Sequence, residues 1–318
     1  MNLNLVYSPR YNLSMLGLER LHPFDAHKYG RAWAIVTRRL GSELRRYWVE
    51  PGEPAADELL LTVHTPEYLQ SLHSSGTLAQ ALDFWPAKYI PNRMLQSGLV
   101  TPMRFAVQGT VLAAELALRG GVAMNFGGGF HHAFRDHGEG FCLFADVALA
   151  IAAQRHAGRL HANDSIVVID LDAHRGNGFY EIAGKDPGVH VFDVHGLQIY
   201  PGPVEDWAPT TTPFLIPVLP GCTDEQYQRI LADDLPRFLT AAGEPKLAFY
   251  NAGTDILRGD PLGKYNVSRE AVAARDRTVL EMLTTRKIPT VVVTSGGYTR
   301  TSHQLIAEMA LYLAEAIG

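Results

Sequence analysis

The sequence has few cysteines, no long apolar run and no excess of basic residues. Two cysteines in 318 residues, Cys142 and Cys222, are too few for a disulfide framework and lack metal-cluster spacing, which favours a reducing compartment. No segment reaches the roughly 18 consecutive apolar residues that a membrane-spanning helix needs. The first twenty residues lack the basic and apolar regions of a secretory signal. We therefore expect an intracellular, cytoplasmic protein with no membrane span and no signal peptide.

The charge balance argues against one class of partner. Twenty-eight Lys and Arg stand against 33 Asp and Glu, for a formal net charge of −5. Proteins that bind nucleic acid neutralise its phosphates with a basic face, so we expect no nucleic-acid partner. No Ser/Gly linker, repeat or low-complexity tract divides the chain, which predicts a single domain over residues 1–318 and leaves the oligomeric state open.

Strands and helices are predicted to alternate along the whole chain. The predicted strands are short, β-branched and apolar on both faces, as buried parallel strands must be. They are Leu3–Ser8, Val122–Phe126, Ile166–Asp170, Val189–Val194, Lys246–Tyr250 and Pro289–Thr294. Helical periodicity covers Arg104–Arg119, Ala145–His156, Asp224–Ala241, Ser268–Thr285 and Ser302–Ile317. The alternation predicts an α/β fold, with one open, mostly parallel β-sheet and helices on both faces.

Two proline-rich segments interrupt this alternation, Asp83–Pro102 and Tyr200–Gly221. Each is about 20 residues long, and loops of that length inside a compact domain are usually functional. We therefore predict that both are long loops, either functional or only decoration of the surface.

Titratable and polar side chains follow four of the predicted strands. Ligands of open α/β sheets bind beyond the carboxyl ends of the strands, so these side chains are expected at one edge. They are His131 and His132 in GGGFHHAF, Asp170, Asp172 and His174 in DLDAHRGNG, Asp255 in NAGTD, and Tyr298 in SGGYTR.

Part of this set has the composition of a metal site. Positions two apart at a strand end point to the same side, so Asp172 and His174 can converge, with Asp255 as a third ligand. Three protein ligands leave one coordination position open, as in catalytic sites. Two carboxylates and one imidazole accommodate Zn²⁺, but also Fe²⁺ or Co²⁺. The alternative is that this segment only caps the helix beginning near Asn177.

The remaining groups can move protons and stabilise charge. Imidazoles are general acids and bases near neutral pH, which makes His131 and His132 candidates. Asp170 can orient one imidazole, and Asn177 can hold the other without adding charge. The phenol of Tyr298, on a glycine turn, can donate a hydrogen bond to a developing negative charge. Each feature also occurs without function, and only the combination predicts metal-assisted amide hydrolysis.

These motifs resemble the zinc-dependent histone deacetylases of the arginase–deacetylase fold, and among them class IV. The resemblance rests on VYSPRYNLSMLGLERLHPFDAHKYG, GGGFHHAFRDHGEGFC, VIDLDAHRGNG, DVHGLQIYPG, YNAGTDILRGDPLG and VTSGGYTRT, in the family's order and spacing. It extends from Leu5 to about Leu313. It implies a zinc-dependent hydrolase that removes acyl groups from the ε-amine of lysine in proteins or peptides.

The resemblance also implies individual roles for the site residues. The zinc ligands would be Asp172, His174 and Asp255. The principal acid–base residue, its electrostatic companion and the carbonyl-polarising phenol would be His132, His131 and Tyr298, with Asp170 bracing His131. A structural potassium ion would lie among Asp170, Asp172, His174, Asp193 and Val194. The channel for the lysine stem would be shaped by Gly140, Phe141 and Tyr200.

Several positions depart from the pattern of the family. Arg175 stands where many class I members have histidine, and Asn177 where they have aspartate, so the pKa of His132 should differ. Asp193 stands where many relatives have serine at the potassium ion. Lys28 lies about where relatives place an internal-channel arginine, and the two side chains are not interchangeable.

The acyl group is left open by the resemblance. Class IV relatives are associated with removal of long fatty-acyl groups and, more weakly, of acetyl. We predict that Phe84, Trp85, Tyr89 and Ile90, in the first proline-rich segment, line an alkyl pocket. Each methylene buried there would contribute about 0.8 kcal/mol.

Three other functions share parts of this chemistry. A deacetylase of small acylated amines, such as acetylpolyamines, would use the same channel and remains an alternative. A binuclear manganese hydrolase of the arginase kind is disfavoured, because Gly176 stands where its second ion needs a carboxylate. An inactive module that only binds acyl-lysine is disfavoured, because the presumptive ligands, both histidines and Tyr298 are all retained.

Overall fold

A single parallel sheet organises the computed structural model, which describes residues 1–202 and 214–318. Its strands are β1 (Asn2–Val6), β2 (Trp48–Val49), β3 (Gly121–Asn125), β4 (Ile166–Asp170), β5 (Val189–Gly196), β6 (Phe214–Val218), β7 (Leu247–Asn251) and β8 (Thr290–Val293). The spatial order is β2-β1-β3-β8-β7-β4-β5-β6, and every adjacent pair is parallel. The predicted α/β fold with an open parallel sheet is confirmed.

Helices cover both faces of this sheet. They are α1 (Lys28–Leu40), α2 (Asp57–Leu60), α3 (Pro66–Ser71), α4 (Ser75–Ala81), α5 (Asn92–Leu95), α6 (Thr101–Leu118), α7 (Asp146–His156), α8 (Asn177–Ala183), α9 (Asp224–Ala241), α10 (Arg269–Thr285) and α11 (Ser302–Ile317). Helix α6 packs against α7 and β3, whereas α11 packs against α1, α10 and β1. Strands β3, β4, β7 and β8 are buried along their whole length, which explains their apolar composition. Within the described ranges, no helix is both long and apolar enough to span a bilayer.

The sequence pattern did not predict the two edge strands. Strand β2 is only two residues long, too short to show a period. Strand β6 contains Pro217 and is largely half-exposed, and proline is tolerated in a sheet mainly at its edges. Because β6 falls inside the segment Tyr200–Gly221, the prediction of a continuous loop there is wrong. Residues 203–213 of that segment lie outside the described residues.

The prediction of a long loop at Asp83–Pro102 is also wrong. The segment forms a 3₁₀ turn at Trp85–Tyr89, then α5, then a π-type turn at Gln96–Val100 that runs directly into α6. Pro86 and Pro102 lie in the first turn of their helical segments, and Pro91 is the N-cap of α5, so the prolines mark the starts of helical segments rather than a loop.

Candidate metal-binding active site

Four adjacent strands bring the predicted site residues together. In the order β3, β8, β7, β4, their carboxyl ends open onto one edge of the sheet. The side chains that follow these strands are His131 and His132, Tyr298, Asp255, and Asp172 with His174, respectively. The sequence pattern predicted that these side chains would lie at one edge of the sheet. The parallel strands place them there, although the residues are far apart in the chain.

Asp172, His174 and Asp255 form a buried cluster. One ligand atom from each lies within 4.8 Å of the others. Nδ1 of His174 is 3.0 Å from Oδ1 of Asp172 and 2.9 Å from Oδ2 of Asp255. Burial, together with the neighbouring Asp172, raises the pKa of Asp255 to about 7. Two buried carboxylates this close need positive charge between them, so the donor set fits a divalent cation.

Backbone amides hold the outer oxygens of both carboxylates. Gly296 N–H donates to Oδ2 of Asp172 over 2.8 Å, and Ala173 N–H donates to Oδ1 of Asp255 over 2.8 Å. A Cβ at Gly296 would lie 2.4 Å from Oδ2 of Asp255, and one at Gly253 would lie 2.4 Å from Oδ2 of Asp172. Glycine at these two turns is what allows the backbone to approach the carboxylates.

The two histidines have different partners and different charge states. Nδ1 of His131 is 2.7 Å from Oδ2 of Asp170. Burial lowers the pKa of His131, but the carboxylates of Asp170 and Asp172 outweigh it and raise that pKa to about 9. Nδ1 of His132 donates to the amide oxygen of Asn177 over 2.6 Å. Burial and the neighbouring charge on His131 hold the pKa of His132 well below its usual value. At neutral pH the pair therefore contains one imidazolium and one neutral base.

Exchanging the neutral partner of His132 should move the pH profile. In Asn177→Asp, a carboxylate would stabilise the imidazolium of His132 and raise its pKa by about 1 to 3. Because only the neutral imidazole can accept a proton, the acidic limb of kcat/KM is expected to move to higher pH. The measurement is a pH–rate profile, with Asn177→Ala as a control that removes the acceptor without adding a charge. An unmoved limb would show that His132 does not set it.

Tyr298 lies above the cluster and is anchored through its backbone. Its ring centroid is 6.0 Å from that of His174. Its N–H donates to Oδ2 of the buried Asp260 over 2.8 Å, while Oδ1 of Asp260 accepts from the N–H groups of Leu262 and Gly263. Burial raises the pKa of the Tyr298 phenol, so the hydroxyl keeps its proton and can act as a donor.

A channel leads to these groups from the surface. Gly140, Phe141 and Tyr200 line it together with His132, His174 and Tyr298. The ring of Tyr200 lies 4.8 Å from that of His132, and its hydroxyl donates to Glu139. The structure thus brings the three predicted channel residues to the cluster, and it adds Glu139 as the residue that fixes Tyr200.

Comparison with known proteins identifies the family. The model of the histone deacetylase domain matches residues 22–314. The chain is 39% identical over 306 residues to Histone deacetylase 2 of Arabidopsis thaliana, covering 96% of this chain and 77% of that protein. It is 30% identical over 282 residues to a probable deacetylase of Methanothermobacter thermautotrophicus, covering 84% and 78%. This chain belongs to the histone deacetylase family.

The fold agrees with that of a solved family member. The crystal structure of the HDA15 HD domain superposes with a TM-score of 0.78 at 20% sequence identity, covering 99% of this chain and 89% of that one. A histone deacetylase-like amidohydrolase of Pseudomonas aeruginosa is 30% identical over 271 residues, covering 80% of this chain and 67% of that protein. The chain is accordingly a hydrolase-family member with the arginase–deacetylase fold.

The alkyl pocket predicted for this member of the histone deacetylase family is wrong. Phe84 and Ile90 are buried in the core, whereas Trp85 and Tyr89 are 64% and 76% exposed. The four cannot line one pocket, because two of these side chains pack into the core and the other two face solvent. The apolar space next to the site is instead an inner cavity that begins at His132 and Asp172. Its apolar walls include Leu13, Phe24, Tyr29, Met103 and Phe130.

Lys28 lies beside this inner cavity. The side chain is fully buried, and its ammonium group donates to the carbonyl oxygen of Ser295, which lines the cavity. The nitrogen is 4.5 Å from the ring centroid of Phe24. Burial lowers the pKa of Lys28 to about 8 despite the nearby carboxylates. A buried amine therefore lies beside the inner cavity, with the carbonyl oxygen of Ser295 and the ring of Phe24 as its neighbours.

The residues expected at a potassium ion also lie together. Register pairs Asp170 with Asp193 across β4 and β5, and both carboxylates are buried. Oδ1 of Asp193 lies 2.8 Å from Nδ1 of His195, and its Oδ2 accepts hydrogen bonds from Gly176 N–H and the Tyr180 hydroxyl. Asp193 thus has several protein donors around its buried carboxylate.

Sequence reasoning missed several residues that support the candidate site. Asp146, at the start of α7, accepts from the N–H groups of Gly129 and Phe130 and so fixes the turn that carries His131. Asn251 donates to Oδ1 of Asp170 over 2.9 Å. The sequence held a signal for two of the missed residues, since Asp146 lies in the first turn of a predicted helix and Asp260 precedes a proline beside a site motif.

Proposed function

We propose that this histone deacetylase family member hydrolyses the amide of Nε-acyl-lysine in proteins or peptides. The observation that carries the proposal is the convergence of three groups at one buried edge. They are a cation-binding cluster, a neutral imidazole on His132 and a protonated phenol on Tyr298. A carbonyl entering the channel would meet all three, which is the arrangement that amide hydrolysis needs.

Asp172, His174 and Asp255 would hold Zn²⁺, for which two carboxylates and an imidazole are a suitable ligand set. The same oxygen-rich set accommodates Fe²⁺ or Co²⁺. When bound, the ion supplies a Lewis acid that polarises the substrate carbonyl and makes water more acidic. Asp170 and Asp193, buried side by side, would share a structural K⁺ with the backbone at Asp172, His174 and Val194.

The chain's own residues account for the proton transfers. Nε2 of His132 is the unprotonated nitrogen, because Nδ1 donates to Asn177, so it can accept a proton from the attacking water. The same nitrogen can return the proton to the leaving lysine amine. The imidazolium of His131, held by Asp170, would stabilise the developing negative charge, and the Tyr298 hydroxyl would donate to the former carbonyl oxygen.

The channel would orient the lysine stem. Phe141 and Tyr200 supply aromatic walls, and the carbonyl of Gly140 would accept a hydrogen bond from the substrate N–H. A Cβ at Gly140 would lie 2.5 Å from the ring of His132, so a side chain there would displace the base. Binding of the substrate and the position of the His132 imidazole would therefore both depend on the turn at Gly140.

The inner cavity would take the acyl group. We expect kcat/KM to rise by up to about fourfold for each added methylene until the acyl chain fills the cavity. The reason is that each buried methylene contributes about 0.8 kcal/mol. The measurement is hydrolysis of lysine peptides acylated with chains from acetyl to myristoyl. Ala106→Met should selectively reduce turnover of the longer chains, because Ala106 also lines the cavity.

The same series separates the competing substrates. Equal or better turnover of the acetyl peptide would remove the preference for longer chains. Faster hydrolysis of an acetylated polyamine than of every peptide would replace acyl-lysine by small acylated amines as the substrate class. Asp83, which lies at the channel mouth, is the residue whose carboxylate would then attract the polycation.

Tyr298→Phe tests whether the protein is an enzyme or only an acyl-lysine-binding module. Loss of an oxyanion donor lowers kcat by about 10²–10³-fold, so we expect that decrease with bound metal and substrate affinity retained. The measurements are kcat, metal content and peptide binding. Tyr312→Phe, which removes an exposed hydroxyl on α11, is the matched control. Undiminished turnover would remove Tyr298 from the mechanism.

A further inference from the structure

One buried arginine lies directly beneath the proposed metal site. Arg275, in the middle of α10, is fully buried, together with the apolar Val272 and Val279 and the adjacent Asp276. A buried guanidinium is costly unless its hydrogen bonds are made, and apolar side chains of similar volume are often as stable or more stable. The partners of its hydrogen bonds are therefore the place to look for its role.

The hydrogen bonds of Arg275 go to the two segments that carry the metal-binding carboxylates. Nη1 donates to the carbonyl oxygen of Leu171 over 3.0 Å and to that of Gly253 over 2.6 Å. Leu171 immediately precedes Asp172, and Gly253 lies two residues before Asp255. A single nitrogen atom thus links the backbones that deliver both carboxylates.

This link begins where the sheet ladder ends. The paired register of β4 and β7 ends at Asp170 with Asn251, and Leu171 N–H still donates to the Asn251 carbonyl over 3.0 Å. Beyond the last paired residues, the carbonyl oxygens of Leu171 and Gly253 accept hydrogen bonds from the guanidinium of Arg275 instead. Arg275 therefore continues the connection between two parallel strands into the turns that form the site.

The guanidinium is itself held in place. Nε of Arg275 donates to Oδ1 of Asp276 over 2.9 Å, and the Tyr250 hydroxyl donates to the same oxygen over 2.5 Å. Tyr250 belongs to β7, so the ion pair is anchored to one of the strands that it joins. Asp276 balances the buried charge of Arg275, so the pair adds no net charge near the metal site. The role of Arg275 is therefore to fix the geometry of the site.

We propose that Arg275 is a positioning residue that sets the separation of Asp172 and Asp255 and so the affinity of the site for its metal ion. The inference rests on the metal site of the proposed function. Partners that orient metal ligands typically change metal affinity by about 10- to 100-fold when they are removed. Arg275 orients the ligands through their backbones rather than through their carboxylates.

The test is a cobalt titration of metal-stripped protein, read by the visible absorption bands of bound Co²⁺. The first variant, Arg275→Met combined with Asp276→Asn, removes the buried charges and leaves the Tyr250 hydroxyl an acceptor. The second, Arg275→Lys, keeps the charge, but its single nitrogen has three donors and cannot replace the four contacts that the guanidinium makes with the two carbonyls and Asp276. We expect Co²⁺ affinity to fall by about 10- to 100-fold in both variants, with altered absorption bands.

Tyr250→Phe is the matched control, because it removes a hydrogen bond of the same network but leaves both carbonyl contacts. It should keep the wild-type affinity and spectrum even if the melting temperature of the metal-free protein falls. Wild-type affinity and bands in the arginine variants would overturn the inference, as would an equal loss of affinity in Tyr250→Phe. If the double variant does not fold, Arg275→Lys decides. A wild-type protein that binds no ion at the cluster would instead overturn the proposed function itself.

Discussion

Asp255→Asn should abolish both metal binding and hydrolysis. The amide oxygen can still accept from Ala173 N–H, so the turn is expected to fold, but the negative charge that faces Asp172 and His174 is lost. We expect the purified variant to retain no ion and its turnover to fall to the background rate. The measurements are elemental analysis of the protein and hydrolysis of an acyl-lysine peptide.

Chelation gives the same result by another route. Removing the ion from the wild-type protein should abolish turnover, and added Zn²⁺ should restore it to the wild type but not to Asp255→Asn. Asp57→Asn, an exposed carboxylate paired with Arg104 far from the cluster in sequence, controls for nonspecific loss. Two ions per chain in the wild type would favour binuclear chemistry, and a fully active Asp255→Asn would remove Asp255 from the ligand set.

His132→Ala should lower kcat by about 10²–10⁴-fold, the range that general acid–base catalysis contributes. His132 is outside the metal-binding cluster, so bound metal should be retained and the defect confined to turnover. Kinetics and metal analysis on the same sample separate the two properties. His137→Ala, at an exposed histidine in the same loop, should leave kcat unchanged.

The companion variant His131→Ala distinguishes the two imidazoles. His131 is held as an imidazolium by Asp170, so its loss should cost charge stabilisation but leave the base in place. A larger defect in His131→Ala than in His132→Ala would reverse the roles assigned to the pair.

The sequence was sufficient where chemistry follows the end of a buried strand. Parallel strands place their carboxyl ends at one edge, so runs such as Ile166–Asp170 predicted both the sheet and the meeting of Asp172 with Asp255. Side-chain type then limited the chemistry, since two carboxylates and an imidazole suit few purposes other than holding a cation. The fold and the metal site could both be inferred because each depends on residues that are close together in the sequence.

Residues that support the site from distant segments of the chain could not be predicted in the same way. Arg275 and Asp276 occupy a helix whose periodicity is that of an ordinary surface helix, and nothing local shows that α10 turns these charges inward. The alkyl pocket failed for a related reason, because composition alone does not tell which side of a helical turn Trp85 and Tyr89 face. Such contacts depend on packing between distant segments.

The glycine turns at Gly253 and Gly296 also affect how mutational maps of this protein should be interpreted. A single methyl at either position would collide with a carboxylate oxygen, although neither glycine has any reactive group. An alanine scan would therefore score both as essential, on a par with Asp172 or His132. Inactivation alone therefore does not identify a participant in the reaction here, because a methyl that displaces a metal-binding carboxylate would lower turnover just as loss of that carboxylate would.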